Sequence, residues 1–157
     1  LADSIYQDFI VLLANAYDNL EILPQDGAID LFRELKKRDI LVVLNTGYNK
    51  ETAQSLLTKL GWKKGEEFDT LITASDVKSN RPDPDMILLA MKQFNITDAK
   101  EVIKVGDSII DIEEGQHAGC GMSIGITTGA HTHVQLASAK PDYIIHNLLE
   151  LLPLLNK

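Results

Sequence analysis

Short, continuous apolar runs alternate with amphipathic segments along residues 27–155 of this chain, and this alternation constrains the fold more than any other feature. Continuous apolar runs are typical of strands that are buried on both faces. The pattern predicts strands over 40–44, 70–73, 101–105, 122–126 and 143–145, and helices over 27–38, 50–60, 84–94, 110–118, 131–137 and 147–155. Strand–helix alternation of this kind predicts an α/β domain with a mostly parallel sheet.

The first residues of the chain follow a different pattern. Between residues 3 and 20, apolar side chains recur every three or four positions, which predicts an amphipathic helix. The segment 21–26, which contains a proline, is typical of a hinge. We therefore expect a small helical unit over residues 1–22 and a main domain over residues 23–157. The apolar stripe of the helix could support a homodimer, or it could pack within its own unit.

The charge and the cysteine content argue against several classes of protein. A net charge of −8 argues against a nucleic-acid or membrane-surface binder, because both need clustered positive charge. It still allows a small anionic substrate that is held by a few local cations. No apolar run approaches the ~20 residues of a membrane span. Cys120 is the single cysteine, which fits a reducing compartment, and we expect a cytoplasmic protein.

Polar and charged residues follow or lie between the predicted strands at three points. Thr46 and Gly47 follow the strand over 40–44, Arg81 precedes a proline, and Asp107 follows the strand over 101–105 with Asp111 one helical turn later. Ligands of parallel sheets bind beyond the carboxyl ends of the strands. We therefore expect these residues to meet at one edge of one sheet, in a site for phosphate and a divalent cation.

The first two groups suit phosphate. The hydroxyl of Thr46 and the amide of Gly47 can both donate to a phosphate oxygen, although an ordinary strand-to-helix turn would look the same. Arg81 stands before a predicted helix start, and a guanidinium binds phosphate as a fork. A solvent-exposed arginine is the common alternative, and Lys78 could take the same part. The pairing of Arg81 with Pro82 favours Arg81 over Lys78.

The two aspartates suit a magnesium ion. Asp107 and Asp111 lie close enough on one helical turn to share a ligand, and Mg²⁺ binds one or two carboxylates together with substrate phosphate. The alternative is that Asp107 is simply a helix N-cap, which needs no metal. The order of the three groups along the chain favours the metal site.

The remaining glutamates, histidines and the cysteine are predicted to have no direct part in the site. Glu113 and Glu114 are predicted to belong to a solvated helix face. His131 and His133 are predicted to form a polar loop or helix start, although they could line a substrate pocket. Cys120 stands between two glycines and is predicted to be a small packing residue rather than a nucleophile.

Taken together, these motifs resemble the haloacid dehalogenase superfamily of phosphotransferases, and more narrowly its phosphonatase-like hydrolases. The strings that carry the resemblance are Leu-Asn-Thr-Gly-Tyr at 44–48, Asn-Arg-Pro-Asp-Pro-Asp-Met at 80–86, Val-Gly-Asp-Ser-Ile-Ile-Asp-Ile-Glu-Glu-Gly at 105–115, and Thr-Gly-Ala-His-Thr at 128–132. The match runs from about residue 22 onward. The set is highly specific for the superfamily and fairly specific for the branch.

The resemblance implies a Rossmann-like three-layer α/β/α core, a Mg²⁺ cofactor, an aspartyl-phosphate intermediate and a small phosphorylated metabolite as substrate. Thr46 would bond the transferring phosphoryl group. Arg81 would take the place of a cation that is often lysine in relatives. Asp107 would bind Mg²⁺, and Asp111 would help directly or through water. Residues 3–20 would be the last helix of a mobile helical cap.

The chain departs from the family pattern at two points. Asn80 stands where a glycine often precedes the Arg-Pro pair. The Asp-x-Asp motif that carries the nucleophile, together with its central strand, is absent, so we expect the core over 23–157 to lack its first strand. One hypothesis is that these residues are the C-terminal part of a longer protein, or that the missing part is supplied separately by another chain. The alternative is a non-catalytic fragment or degenerate relative that binds phosphate, Mg²⁺ or a protein partner. A dehalogenase is a weaker alternative, because displacement of halide needs no metal.

Overall fold

The computed structural model describes residues 11–12 and 21–156, and every structural statement below refers to these residues. Residues 11–12 are helical. The rest of the predicted helix over 3–20, and with it most of the predicted unit over 1–22, lies outside the described residues. Within the described part of the chain, no helix combines the length and the apolar character that crossing a membrane requires.

The described chain is a mixed α/β structure with parallel strands, which confirms the predicted fold class. The strands are β1 (Val43–Thr46), β2 (Thr70–Thr73), β3 (Ile103–Gly106), β4 (Met122–Ile126) and β5 (Tyr143–Ile145). The helices are α1 (Ala28–Lys37), α2 (Lys50–Leu60), α3 (Asp85–Gln93), α4 (Ile109–Ala118), α5 (His133–Ser138) and α6 (Leu151–Leu154), with 3-10 turns at Ala74–Asp76, Ala99–Glu101 and Leu148–Glu150.

The strands form two parallel sheets. β1 pairs with β2, with Val43 opposite Thr70 and Thr46 opposite Thr73. β4 lies between β3 and β5 in the second sheet. No ladder joins β1 to β3 in the described chain, and a direct pairing of these strands would have contradicted the expectation of a missing first strand. That expectation therefore stays a prediction.

The strands of the second sheet bury one set of side chains on each face. Ile124 and Ile126 of β4 belong to a core cluster with Leu31 of α1 and Leu151 of α6. On the opposite face of β4, a β-carbon at Gly125 would lie 3.3 Å from Ile112 of α4 and from Leu136 of α5. Because successive side chains of a strand point to opposite faces, helices cover the sheet on both sides.

The same alternation sorts the side chains of β1 and β3. Leu44 of β1 and Val105 of β3 pack against the cluster that contains α1 and α6. Their neighbours Asn45 and Lys104 therefore point to the other face, where α4 lies. This orientation brings two polar side chains from separate sheets beneath one helix.

Several predicted boundaries differ from the structure: β3 starts at Ile103 rather than 101 and α5 at His133 rather than 131, and two further elements differ as follows. The first strand was predicted over 40–44, but β1 spans Val43–Thr46, and Leu41 is 43% exposed. β1 starts only at Val43 because the backbone amide of the preceding residue, Val42, bonds to a side chain: it donates to Oδ2 of Asp69. The last helix, predicted over 147–155, is a 3-10 turn followed by α6. The helix ends of α2 agree with the sequence, since Asn49 accepts from the amide of Thr52 and Gly61 has a positive φ.

Candidate active site

One cleft lies at the carboxyl ends of β1 and β3. It has a volume of about 530 Å³ and is lined by Thr46, Gly47, Tyr48, Asn80, Arg81 and Asp107. Thr46 is the last residue of β1, and Asp107 follows the last residue of β3. The structure therefore brings together four of the five predicted site residues in the cleft. The fifth, Asp111, contacts the cleft residue Arg81 rather than lining the cleft itself.

Thr46 and Gly47 form the turn that leaves β1. The Oγ1 of Thr46 accepts a hydrogen bond from the amide of Tyr48 at 3.2 Å. A hydroxyl that accepts one bond still carries a hydrogen to donate, so Thr46 can bond an incoming oxygen. A β-carbon at Gly47 would stand 2.6 Å from Nη2 of Arg81, which explains the glycine: a larger residue would push the guanidinium away.

Arg81 reaches the cleft from the loop between β2 and α3. Its peptide bond to Pro82 is cis, and its amide donates to Oδ1 of Asn80 at 2.8 Å. Arg81 stands before α3, as predicted, and α3 begins at Asp85, one residue after the predicted start. The residues between them form turns. The partner that fixes the guanidinium is a carboxylate: Nη1 donates to Oδ1 of Asp111 at 2.6 Å.

Asp107 is oriented by the loop that follows β4. Its Oδ2 accepts from the amide of Ala130 at 2.8 Å, and its carbonyl oxygen accepts from the amide of His131 at 3.0 Å. A β-carbon at Gly129 would overlap the Asp107 carboxylate, so the loop can approach this closely only with glycine. The N-cap of α4 is Ser108 rather than Asp107. The structure therefore contradicts the alternative that Asp107 is only a helix N-cap.

Asp111 is a buried carboxylate with polar partners on both oxygens. Oδ1 contacts Nη1 of Arg81 at 2.6 Å and Nζ of Lys104 at 3.2 Å, and Oδ2 accepts from the Ser108 hydroxyl at 2.5 Å. Burial alone would raise the pKa of Asp111. The charge of Lys104, the bond from Ser108 and the contact with Arg81 outweigh burial and hold the pKa below its usual value. Asp111 is therefore ionised at neutral pH.

Two further charged residues lie below the cleft, and sequence reasoning missed both. The side chain of Lys104 is 6% exposed, and that of Glu114 is fully buried; their Nζ and Oε2 atoms are 2.7 Å apart. The prediction that Glu114 belongs to a solvated face is wrong, since α4 turns this side chain toward Lys104 and Asn45. The available signal was a lone lysine inside the apolar run Val102 to Val105.

The histidines and the cysteine have structural surroundings. His131 lies in the loop before α5, and its Nδ1 accepts from the amide of Ile109 in the first turn of α4. His133 is the first residue of α5 and stacks on His146 with ring centroids 6.0 Å apart. Cys120 packs in an apolar cluster with Ile87 and Met91, as predicted, and burial raises the pKa of its thiol to about 11.

The donor set of the cleft fits a magnesium ion. Within the described part of the chain, no three His, Cys, Asp or Glu side chains are grouped to hold a metal by themselves. Mg²⁺ does not need such a group, because it keeps waters and takes one or two carboxylates plus phosphate oxygens. Asp107 supplies a carboxylate in the cleft beside Thr46 and Arg81. Asp111 lies one helical turn away, with its oxygens already in contact with Arg81, Lys104 and Ser108.

The fold and this site define a class of α/β proteins in which hydroxyl, guanidinium and carboxylate side chains meet at the carboxyl ends of parallel strands. Residues 6–125 match the family model described as haloacid dehalogenase-like hydrolase. The chain belongs to this family.

Individual relatives are similar to this chain in sequence or in fold. A phosphonoacetaldehyde hydrolase from Latilactobacillus sakei is 33% identical over 146 residues, which cover 78% of this chain and 54% of the relative. A solved haloacid dehalogenase-like protein of unknown function from Agrobacterium tumefaciens superposes with a TM-score of 0.80 at 21% identity, over 99% of this chain and 69% of the other. A phosphonoacetaldehyde hydrolase-like protein from Oleispira antarctica gives a TM-score of 0.72 at 24% identity, over 83% and 55% of the two chains. The chain spans about half the length of the curated relatives it matches.

Proposed function

We propose that the intact protein is a Mg²⁺-dependent hydrolase that releases phosphate from a small phosphorylated metabolite or a phosphonate through an aspartyl-phosphate intermediate. The observation that carries the proposal is the convergence of a hydroxyl, a guanidinium and a carboxylate in one cleft, from Thr46, Arg81 and Asp107. Phosphoryl transfer depends on positioning and charge neutralisation, and these three groups supply both.

Thr46 and Arg81 would hold the phosphoryl group. The Thr46 hydroxyl and the amide of Gly47 donate to phosphate oxygens, and the close approach at Gly47 keeps the guanidinium within reach of the same group. Arg81 neutralises charge that collects on the phosphoryl oxygens as the bond to the leaving group breaks. In this proposal Thr46 and Arg81 bind the phosphoryl group, and neither of them is the attacking aspartate.

Asp107 and Asp111 would hold the magnesium ion. The ion, when bound, neutralises charge on the phosphate oxygens. Asp107 is the principal ligand in this proposal, because the amide of Ala130 donates to its Oδ2 and so fixes the orientation of the carboxylate. Asp111 supports the site from the first turn of α4, where it also holds Arg81.

The test is phosphate release by the intact protein. One relative is named phosphonoacetaldehyde hydrolase, and one solved structure is a phosphonoacetaldehyde hydrolase-like protein. The panel of test substrates therefore contains phosphonoacetaldehyde as well as small phosphate monoesters. We expect turnover of at least one compound, loss of turnover after chelation with EDTA, and recovery when Mg²⁺ is added back. Turnover that survives chelation would contradict the metal assignment. Failure to release phosphate from any compound would contradict the hydrolase assignment.

A further inference from the structure

Lys104, Glu114 and Asn45 form a buried polar cluster directly below the cleft, and the proposed reaction uses none of these three residues. Nζ of Lys104 lies 2.7 Å from Oε2 of Glu114, 2.7 Å from Oδ1 of Asn45 and 3.2 Å from Oδ1 of Asp111. The Nδ2 of Asn45 donates to both carboxylate oxygens of Glu114 at 3.0 Å. The cluster thus joins β1, β3 and α4 through polar contacts alone.

The cost of such a cluster indicates a purpose other than stability. Removing charges from water is expensive, and well-packed apolar side chains of similar volume often stabilise a core as well as an ion pair does. The side chain of Lys104 is 6% exposed and that of Glu114 is fully buried. A specific consequence of this cluster is geometric: Lys104 and Arg81 both contact the same oxygen, Oδ1 of Asp111.

We propose that Lys104 is a positioning residue for Arg81. Glu114 and Asn45 fix the ammonium group of Lys104, which holds Oδ1 of Asp111 from below the cleft. Asp111 in turn fixes Nη1 of Arg81, so the place of the guanidinium depends on Lys104. The coupling of Lys104 to Arg81 rests on the geometry, whereas its effect on phosphate rests on the proposed function.

A double-mutant cycle measures this coupling. Orthophosphate is titrated calorimetrically into the intact wild-type protein, Lys104→Met, Arg81→Met and the double variant. We expect Lys104→Met to weaken orthophosphate binding roughly tenfold, and to have no further effect once Arg81 is Met, because contacting residues that act through one another are not additive. The matched control is Lys100→Met, an exposed lysine on the neighbouring 3-10 turn, which is expected to bind orthophosphate like the wild type. An equal loss with and without Arg81 would overturn the proposal.

A second readout needs neither turnover nor phosphate. The chain has three arginines, and the Nε of Arg81 is buried without a hydrogen-bond partner in the described part of the chain. Its N–H signal in a nitrogen-15 spectrum is assigned by its disappearance in Arg81→Met. We expect Lys104→Met to shift or broaden this signal and Lys100→Met to leave it in place. If the wild type binds no orthophosphate, the proposed function fails, and this signal alone decides the positioning role.

The paired variant Lys104→Met/Glu114→Gln separates positioning from folding. Lys104→Met alone leaves Glu114 as a buried carboxylate without its cation, which can unfold the protein. The paired variant removes both charges and leaves the local net charge unchanged. We expect the paired variant to fold and still to show the shifted Arg81 signal and the weaker orthophosphate binding. If the paired variant folds and keeps both the wild-type Arg81 signal and wild-type orthophosphate binding, Lys104 has only a structural role. That result would overturn the proposal.

Discussion

Arg81 and Asp111 are joined by a bond of 2.6 Å between Nη1 and Oδ1, which ties the loop after β2 to the first turn of α4. The two residues are 30 positions apart in sequence. The side chain of Asp111 is 4% exposed and that of Arg81 is 20% exposed. The carboxylate is therefore buried below the cleft, while the guanidinium borders the cleft and lines it with Thr46, Gly47 and Asp107.

This bond leads to a prediction about substitutions at Arg81. Arg81→Lys keeps the charge but loses the planar fork that can bond Asp111 and phosphate together. We expect kcat/KM for phosphate release to fall roughly tenfold in Arg81→Lys and on the order of a hundredfold in Arg81→Met, because charged hydrogen bonds contribute ~1.5–3 kcal/mol. Steady-state kinetics on the intact protein check both values. Equal activity of Arg81→Met and wild type would contradict a role for Arg81 in phosphate release.

The buried pair of Lys104 and Glu114 predicts a stability effect. Glu114→Gln leaves the ammonium of Lys104 buried with a weaker partner, and breaking a buried ion pair costs about 3 kcal/mol. We expect the free energy of unfolding, measured by urea denaturation, to fall by about that amount. The control is Glu113→Gln on the same helix, where we expect a change of less than ~0.5 kcal/mol. Comparable losses at the two positions would contradict the assignment of the pair.

Much of the architecture could be predicted from the sequence, because it depends on local patterns. Continuous apolar runs mark the strands, and Asn49 and Gly61 mark the ends of α2 through their caps. The start of β1 could not be predicted, because Ile40 and Leu41 extend the apolar run while the ladder depends on where β2 begins. Pairing between distant segments leaves no local pattern at such a boundary.

The candidate site could likewise be predicted only in part. Thr46, Arg81 and Asp107 follow motifs with fixed order, and the structure gathers them in one cleft. Glu114 was misassigned because a pair of glutamates on a helix is usually solvated, and only the tertiary position of Lys104 makes burial of Glu114 favourable. Burial of a charge depends on a partner that is distant in sequence, so helix periodicity alone cannot predict it.

Cys120 predicts a dependence of stability on alkaline pH. Burial raises the pKa of its thiol from 9.0 to about 11. The unfolded thiol therefore ionises first, and stability that is fully present below pH 9 is lost as the pH rises toward 11.

The matched variant for this prediction is Cys120→Ala. We expect its free energy of unfolding to be lower than that of the wild type at pH 8, because the variant leaves a small cavity. The difference between the two proteins should shrink as the pH approaches 11. Urea denaturation at pH 8, 9 and 10 follows this difference. Parallel curves for the two proteins would contradict a buried, neutral thiol.

We propose that Asp107 makes this cleft a magnesium-dependent site for phosphate release. The most direct measurement is the initial rate of phosphate release by the intact protein as a function of Mg²⁺ concentration, for wild type, Asp107→Asn and the exposed control Asp83→Asn. We expect Mg²⁺-dependent turnover in wild type and Asp83→Asn, and a loss of at least about a hundredfold in Asp107→Asn. Near-normal, Mg²⁺-dependent turnover in Asp107→Asn would contradict it.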